Sequence, residues 1–166
     1  KILYIDEAEE YAICEPGVIQ DHLNGALGKI GYRLGPDTST GNRATLGGMA
    51  ANNAAGARSL RYGRMVDHVE SVEVALAGGA TSTFSSVDDA VWQAKGKLSS
   101  FEGRSYSKLG ALLDEYRQDT LHSFPQIPRR VSGYNLDELV REDVDMNLAK
   151  LIVGSEGTLG LITEMR

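Results

Sequence analysis

GPDTSTGNRATLGGMAANNAAGARSLRYG, residues 35–63, is the stretch on which the reading of this chain turns. It follows neither the 3.6-residue period of a helix nor the alternation of a strand: glycine and other small residues recur, Asn52 and Asn53 stand together, and large apolar side chains are almost absent. An irregular segment of this length inside a domain is uncommon and is either functional or disordered. Disorder fits poorly, because charge and proline are too sparse to keep the segment unfolded. Its only acid is Asp37, against Arg43, Arg58 and Arg61, so within an acidic chain the loop is locally cationic.

Such a loop suits an anion approached by main chain. Gly47, Gly48 and Gly56 lack the Cβ that would block close approach, and glycine also tolerates positive φ. Asn52 and Asn53 add uncharged donors and acceptors, and Thr38, Ser39, Thr40 and Thr45 add hydroxyls. No Gly-Lys-Ser/Thr follows, which excludes a Walker loop, and Gly-x-Gly-x-x-Gly is absent, which excludes the Rossmann fingerprint. The pyrophosphate of a dinucleotide held by an extended loop is the ligand that fits these residues best.

The flanking patterns are regular. Ile2–Ile5 and Tyr11–Cys14 read as a hairpin-like pair at a sheet edge, joined through the acidic Asp6–Glu10 stretch. Beyond the Glu15-Pro16-Gly17 turn, Val18, Leu23, Leu27 and Ile30 recur at near-helical spacing, with Gly31 as the C-terminal cap. Alternation from Val69 to Leu76, then Gly78-Gly79, predicts a hairpin into Thr81–Phe84. Ser86 is expected to cap a short helix reaching Trp92, and Leu109, Leu112, Leu113, Tyr116 and Leu121 mark another over Tyr106–Leu121. Leu148–Val153 leads through Gly154-Ser155-Glu156-Gly157 to a final strand. Both ends are strand-like, so the 166 residues read as part of a larger chain.

Composition narrows the function. The glycine count is 19 against 4 prolines, above a usual glycine share of about 7%. A net charge of −6 argues against nucleic-acid binding, and no apolar run approaches the ~20 residues of a membrane span. A single cysteine, Cys14, excludes an intrachain disulfide and a cysteine-rich metal site. With no visible signal segment, the cytoplasm or its membrane face is the expected location.

Thr45-Leu46-Gly47-Gly48-Met49-Ala50-Ala51-Asn52-Asn53-Ala54-Ala55-Gly56, followed by Arg61-Tyr62-Gly63, resembles the central flavin-binding segment of FAD-linked oxidases of the vanillyl-alcohol oxidase type. Leu151 to Thr163, LIVGSEGTLGLIT, resembles the second signature of the same family. Arg129 to Asp137, RRVSGYNLD, is similar to the stretch preceding that signature in the branch oxidising D-2-hydroxy acids such as D-lactate and D-2-hydroxyglutarate. The resemblance implies an α+β fold: a mixed, largely antiparallel sheet flanked by helices, the second subdomain of a PCMH-type FAD-binding domain. Residues 1–166 would be a partial FAD-binding domain, with an N-terminal flavin subdomain and a C-terminal substrate cap outside the chain, and 97–147 a helical insertion.

The implied cofactor is FAD, and the implied reaction moves hydride from the Cα of a 2-hydroxy acid to flavin N5 while a base takes the hydroxyl proton. The implied cofactor contacts are Pro36, Asp37, Thr38, Thr45, Gly47, Gly48, Asn52, Asn53 and Gly56 from the first segment. Glu156 and Gly157 would lie near the ribose or adenine, with Gly160 to Ile162 alongside. The catalytic histidine of the family would belong to the cap, so no catalytic residue is assigned here. A downstream electron acceptor is the second implied partner.

Other candidates are weaker. Arg129 or Arg130 is able to clamp a substrate carboxylate, although a surface or interdomain ion pair is the commoner use of such a pair. His22, His68 and His122 show no triad or metal pattern. Asp137, Glu138, Glu142, Asp143 and Asp145 lack the EF-hand order, so no metal is expected. Two other functions stay open at this point: another FAD-linked alcohol or sugar oxidase, and a non-catalytic module binding a phosphorylated metabolite or partner.

Overall fold

Val72 and Val74 are 1% and 0% exposed while Glu73 and Ala75 between and beside them are half-buried, so the alternation in the sequence becomes one buried sheet face. In a computed structural model describing residues 1–127, 129–141 and 144–166, this strand lies near the middle of a five-stranded sheet. The strands are β1 (Ile2–Asp6), β2 (Tyr11–Cys14), β3 (Val72–Ala75), β4 (Thr81–Phe84) and β7 (Leu161–Met165), in the order β1-β2-β7-β3-β4. Their pairings are antiparallel. Both expected hairpins form, and Gly79 takes φ 79° in the β3–β4 turn. β7 enters between β2 and β3, and Thr163 bulges from its pairing with β3, its Oγ1 donating to the Glu73 carboxylate at 2.6 Å.

Helix α1 (Gln20–Leu27) buries Gln20 and Leu23, continues as a 3₁₀ turn over Gly28–Ile30, and ends at Gly31 with φ 85° as expected. The loop of residues 35–63 departs from its irregular reading. It contains α2 (Leu46–Ala51) and α3 (Ser59–Tyr62), followed by α4 (Met65–His68). Helices of four to six residues are too short to display a period in sequence. Leu46, Met49 and Ala50 of α2 are buried, which ties the loop to the core.

Two further expectations change. Ser86 does not cap a helix: with Val87 it forms β5 (Ser86–Val87), paired with β6 (Met146–Asn147), and Asp88 caps α5 (Asp89–Gly96) by accepting from Val91 N at 2.8 Å. Serine and aspartate are near-equal caps, and the pairing of Ser86 with Asn147 leaves the role to Asp88. The long helix α6 runs over Phe101–Ser123, starting five residues before Tyr106, where Ser100 accepts from Gly103 N. Of its apolar positions Leu113 is buried, but Leu112, Tyr116 and Leu121 are exposed. The inward face is Gly103, Tyr106, Leu113 and Thr120. Gly103 is required there, because a Cβ would overlap the Leu98 carbonyl. Trp92 of α5 meets Tyr106 edge-on at 4.8 Å, with Phe84 of β4 at 6.2 Å from the same ring, so α5 and α6 dock on the sheet through aromatics. The last helix, α7 (Ala149–Ile152), precedes the turn into β7.

Candidate functional site

The site begins where the chain leaves β2. Gly47 N donates to Pro16 O at 2.9 Å and Leu46 N to Val18 O at 2.8 Å, so the start of α2 is stitched to the Glu15–Val18 turn by main chain. Thr45 caps α2, its Oγ1 accepting from Gly48 N at 3.2 Å, which leaves the hydroxyl proton for donation. At the other end of α2, Gly154 N donates to Ala50 O at 2.9 Å and Glu156 N to Ala51 O at 3.0 Å. The two glycine-bearing segments, about a hundred residues apart in sequence, are therefore joined backbone to backbone.

Between them runs a groove of about 300 Å³. Pro16, Gly17, Thr45, Gly47, Gly48 and Ala51 form one wall, and Ser155, Gly157, Gly160, Leu161 and Ile162 the other. None of these lining residues has a titratable side chain. An anion here would meet hydroxyls and main-chain amides rather than cations.

What a Cβ would encounter separates the glycines by purpose. At Gly47 it would stand 2.5 Å from Pro16 Cβ; at Gly56 it would overlap the Asp37 carbonyl oxygen, and at Gly160 the Val74 side chain. Those three serve the packing of the protein on itself. At Gly17 and Gly157 a Cβ would meet no atom within 4 Å, and at Gly48 only Thr45 Oγ1 at 3.0 Å. At Gly157 the left-handed backbone, φ 78°, itself favours glycine, so Gly17 is the wall position where neither packing nor backbone demands one; across all three, the groove is a cradle that Cβ atoms would narrow. That is the surface a dinucleotide needs for close main-chain approach, so the residues present fit FAD.

The remaining expected contacts fall outside the groove. Pro36 is buried and its carbonyl accepts from Gln20 Nε2 at 2.8 Å, while Thr38 donates to Gln20 Oε1 from both N and Oγ1. Asp37 accepts from Arg58 N and forms an ion pair with Arg58 at 3.4 Å. Asn52 is the exposed C-cap of α2. Asn53 is fully buried with φ 46°, and its amide is engaged by protein: Oδ1 accepts from Val66 N at 2.9 Å and Nδ2 donates to Asn135 Oδ1 at 3.2 Å. Glu156, at φ 51°, is exposed beside the groove. Sequence reasoning missed Pro16, Gly17, Ala51 and Ser155 as wall residues and Gln20 as the anchor of residues 36–38. The Glu15-Pro16-Gly17 turn signal marked the first two.

Arg129 and Arg130 do not line the groove. Arg130 pairs with Asp137 and lies 4.6 Å over the Phe124 ring, while Arg129 is exposed. In the acidic stretch, Asp137 thus faces Arg130 and Glu138 pairs with Arg64 at 3.0 Å; Glu142 and Asp143 lie outside the described residues. His68 Nε2 contacts Tyr62 O at 2.6 Å, and His122 Nδ1 contacts Gln118 O at 2.7 Å, both structural engagements. Lys150 reaches from α7 to the Val66 and Val69 carbonyls at 2.5 and 3.0 Å, and burial pushes its pKa below the ordinary lysine value. Among the described residues no helix is long and apolar enough to cross a membrane.

Comparison with known proteins agrees with this geometry. Among curated relatives, D-2-hydroxyglutarate dehydrogenase of Escherichia coli (strain K12) is 36% identical over all of this chain, which spans 16% of that protein. The glycolate oxidase subunit GlcD of Bacillus subtilis (strain 168) is 29% identical over 99% of the chain, which spans 24% of it. A solved structure of alkyldihydroxyacetonephosphate synthase shares the fold, with a TM-score of 0.55 and 23% identity over 99% of this chain and 19% of that one. The family model described as FAD binding domain matches residues 1–85, which carry the β1–β2 hairpin, the turn at Gly17 and the whole first glycine segment. A fold that docks two glycine segments around an open groove lined by small, uncharged residues is accounted for by that match: this chain belongs to the FAD binding domain family.

Proposed function

We propose that the full-length protein is an FAD-dependent dehydrogenase that oxidises a small D-2-hydroxy acid, of the D-2-hydroxyglutarate, D-lactate or glycolate type, and passes the electrons to a separate acceptor. The observation that carries this reading is the open groove between the Gly17–Gly48 wall and the Gly157–Ile162 wall. When bound, a flavin supplies a two-electron acceptor for the hydride leaving the substrate Cα, while the hydroxyl proton leaves to a base.

The residues of this chain hold and orient. Gly17, Gly48 and Gly157 admit the dinucleotide to the main chain, and Thr45 presents a hydroxyl proton already aligned by Gly48 N–H. Leu161 and Ile162 give the groove an apolar end that sheds water. Glu156, exposed next to the wall residues Ser155 and Gly157, is the carboxylate we assign to the ribose hydroxyls, which it would bind by accepting. For the substrate carboxylate, Arg129 is the freer of the two arginines, since Asp137 and Phe124 already hold Arg130.

The test is spectroscopic. Purified full-length protein should carry the visible flavin absorbance and lose it anaerobically on addition of one D-2-hydroxy acid but not its L enantiomer. A colourless protein indifferent to added FAD would overturn the reading. A flavoprotein bleached only by a simple alcohol or a sugar would overturn the substrate class.

A further inference from the structure

We propose that Tyr134 and Asn135 are positioning residues that clamp the Gly154–Thr158 turn at both ends, and so set how tightly the groove retains its cofactor without touching it. This rests on the groove being the flavin site.

The turn needs a clamp. Gly154, Glu156 and Gly157 have φ of 86°, 51° and 78°, so three of its four residues from Gly154 occupy the left-handed region. For the glutamate that conformation costs about 1 kcal/mol or more and persists only when the surroundings enforce it. Glycines on either side make the alternatives many. Yet Gly157 must stay in place, because it forms part of the groove wall.

Asn135 holds the entrance. It is 1% exposed, and its Nδ2 donates to Val153 O at 2.8 Å and Lys150 O at 3.2 Å, while its Oδ1 accepts from Asn53. Gly154 is packed so closely against the pair that a Cβ would stand 3.2 Å from Asn135 Nδ2 and 3.3 Å from Asn53 Cβ. Tyr134 holds the exit. Its hydroxyl lies 2.8 Å from Thr158 Oγ1, and Thr158 already donates its one hydroxyl proton to Ser155 O at 2.6 Å. Tyr134 must therefore be the donor, completing a Tyr134–Thr158–Ser155 relay across the turn. The neighbouring segment is itself pinned, with Arg64 donating to Arg130 O at 2.8 Å and pairing with Glu138. The connection after α6 thereby reaches one wall of the groove through two adjacent side chains.

If the turn samples other states when unclamped, apparent affinity falls by the fraction of time it remains competent. Tyr134 is 41% exposed, so Tyr134→Phe keeps the ring and removes one bond. In the full-length protein this variant should melt within error of wild type as apoprotein, yet weaken FAD about 2- to 10-fold in reconstitution titrations, mainly through faster release. The visible circular dichroism of bound flavin should change with it. Asn135→Ala should weaken FAD further, about 10- to 100-fold, with a lower melting temperature. Because Tyr134 acts through Thr158, Tyr134→Phe should have no added effect in a Thr158→Val background. Wild-type FAD affinity and release rate in Tyr134→Phe would overturn the clamp, as would an undiminished effect in the Thr158→Val background. If instead the wild-type protein binds no FAD, the groove reading falls and the clamp with it; tight wild-type binding lost in Gly17→Val but intact in Tyr134→Phe sinks the clamp alone.

Discussion

Replacing Gly17 by valine separates a glycine kept for the ligand from one kept for the fold. No protein atom lies within 4 Å of the position a Cβ would take, and the backbone is outside the left-handed region. A Cβ is thus accepted without collision, and the unfolded chain loses freedom. Gly→Xaa changes at compatible positions stabilise by about 0.4–1 kcal/mol on that account. For the cofactor the sign reverses. Gly17 lines the groove, so the valine methyl groups occupy space that a dinucleotide would fill. Overpacking a close contact costs about 1–3 kcal/mol, equivalent to about 5- to 150-fold in Kd. The expected outcome is an apoprotein that melts no lower than wild type but retains little flavin after gel filtration and needs correspondingly more FAD to reconstitute. A well-folded Gly17→Val protein with wild-type flavin content and Kd would refute the assignment of this wall, and a collapse in apoprotein stability would refute the claim that the position is open.

Three other outcomes follow from the same geometry. Gly56→Ala should behave in the opposite way, losing about 3 kcal/mol of stability because its Cβ overlaps the Asp37 carbonyl, with flavin loss that tracks unfolding in a parallel melt. Gln20→Ala removes the buried amide holding Pro36 O and Thr38, and should cost about 2 kcal/mol, visible as faster hydrogen exchange at Thr38 N. Glu156→Gly relieves a left-handed glutamate and should stabilise the apoprotein by about 1 kcal/mol in denaturant titration. If the carboxylate contacts the ribose as proposed, the same variant binds FAD more weakly, and unchanged affinity would remove Glu156 from the site.

What was legible in the sequence was local. The β3–β4 hairpin declared itself through Val72, Val74 and the Gly78-Gly79 turn, and the end of the first helical region through Gly31, because backbone conformation there is decided by a few neighbouring residues. The groove was legible as two glycine concentrations, although clustering alone did not distinguish Gly56 and Gly160, which packing requires, or Gly157, which its left-handed backbone requires, from Gly17, which neither does. Partnerships over long separation were hidden: Asn53 looked like a ligand contact and instead meets Asn135, 82 residues away. Short helices such as α2 were hidden for a different reason, since a six-residue helix held by tertiary packing of Leu46, Met49 and Ala50 owes little to its own periodicity. At Ser86 local propensity could not reveal the long-range pairing with Asn147 that makes this residue a strand and leaves the cap to Asp88.

The placement of β7 ties the sheet to the groove. This strand, the last of the five in sequence, lies between β2 and β3 and supplies the pairing that joins the two hairpins into one sheet. Without residues 161–165 the β1–β2 and β3–β4 hairpins have no strand pairing to each other among the described residues, and isolated two-stranded hairpins are marginal in water. Gly157, Gly160 and Ile162 belong to that same strand and the turn before it. Closure of this sheet and the joining of the two groove walls are thus a single event, set by one strand.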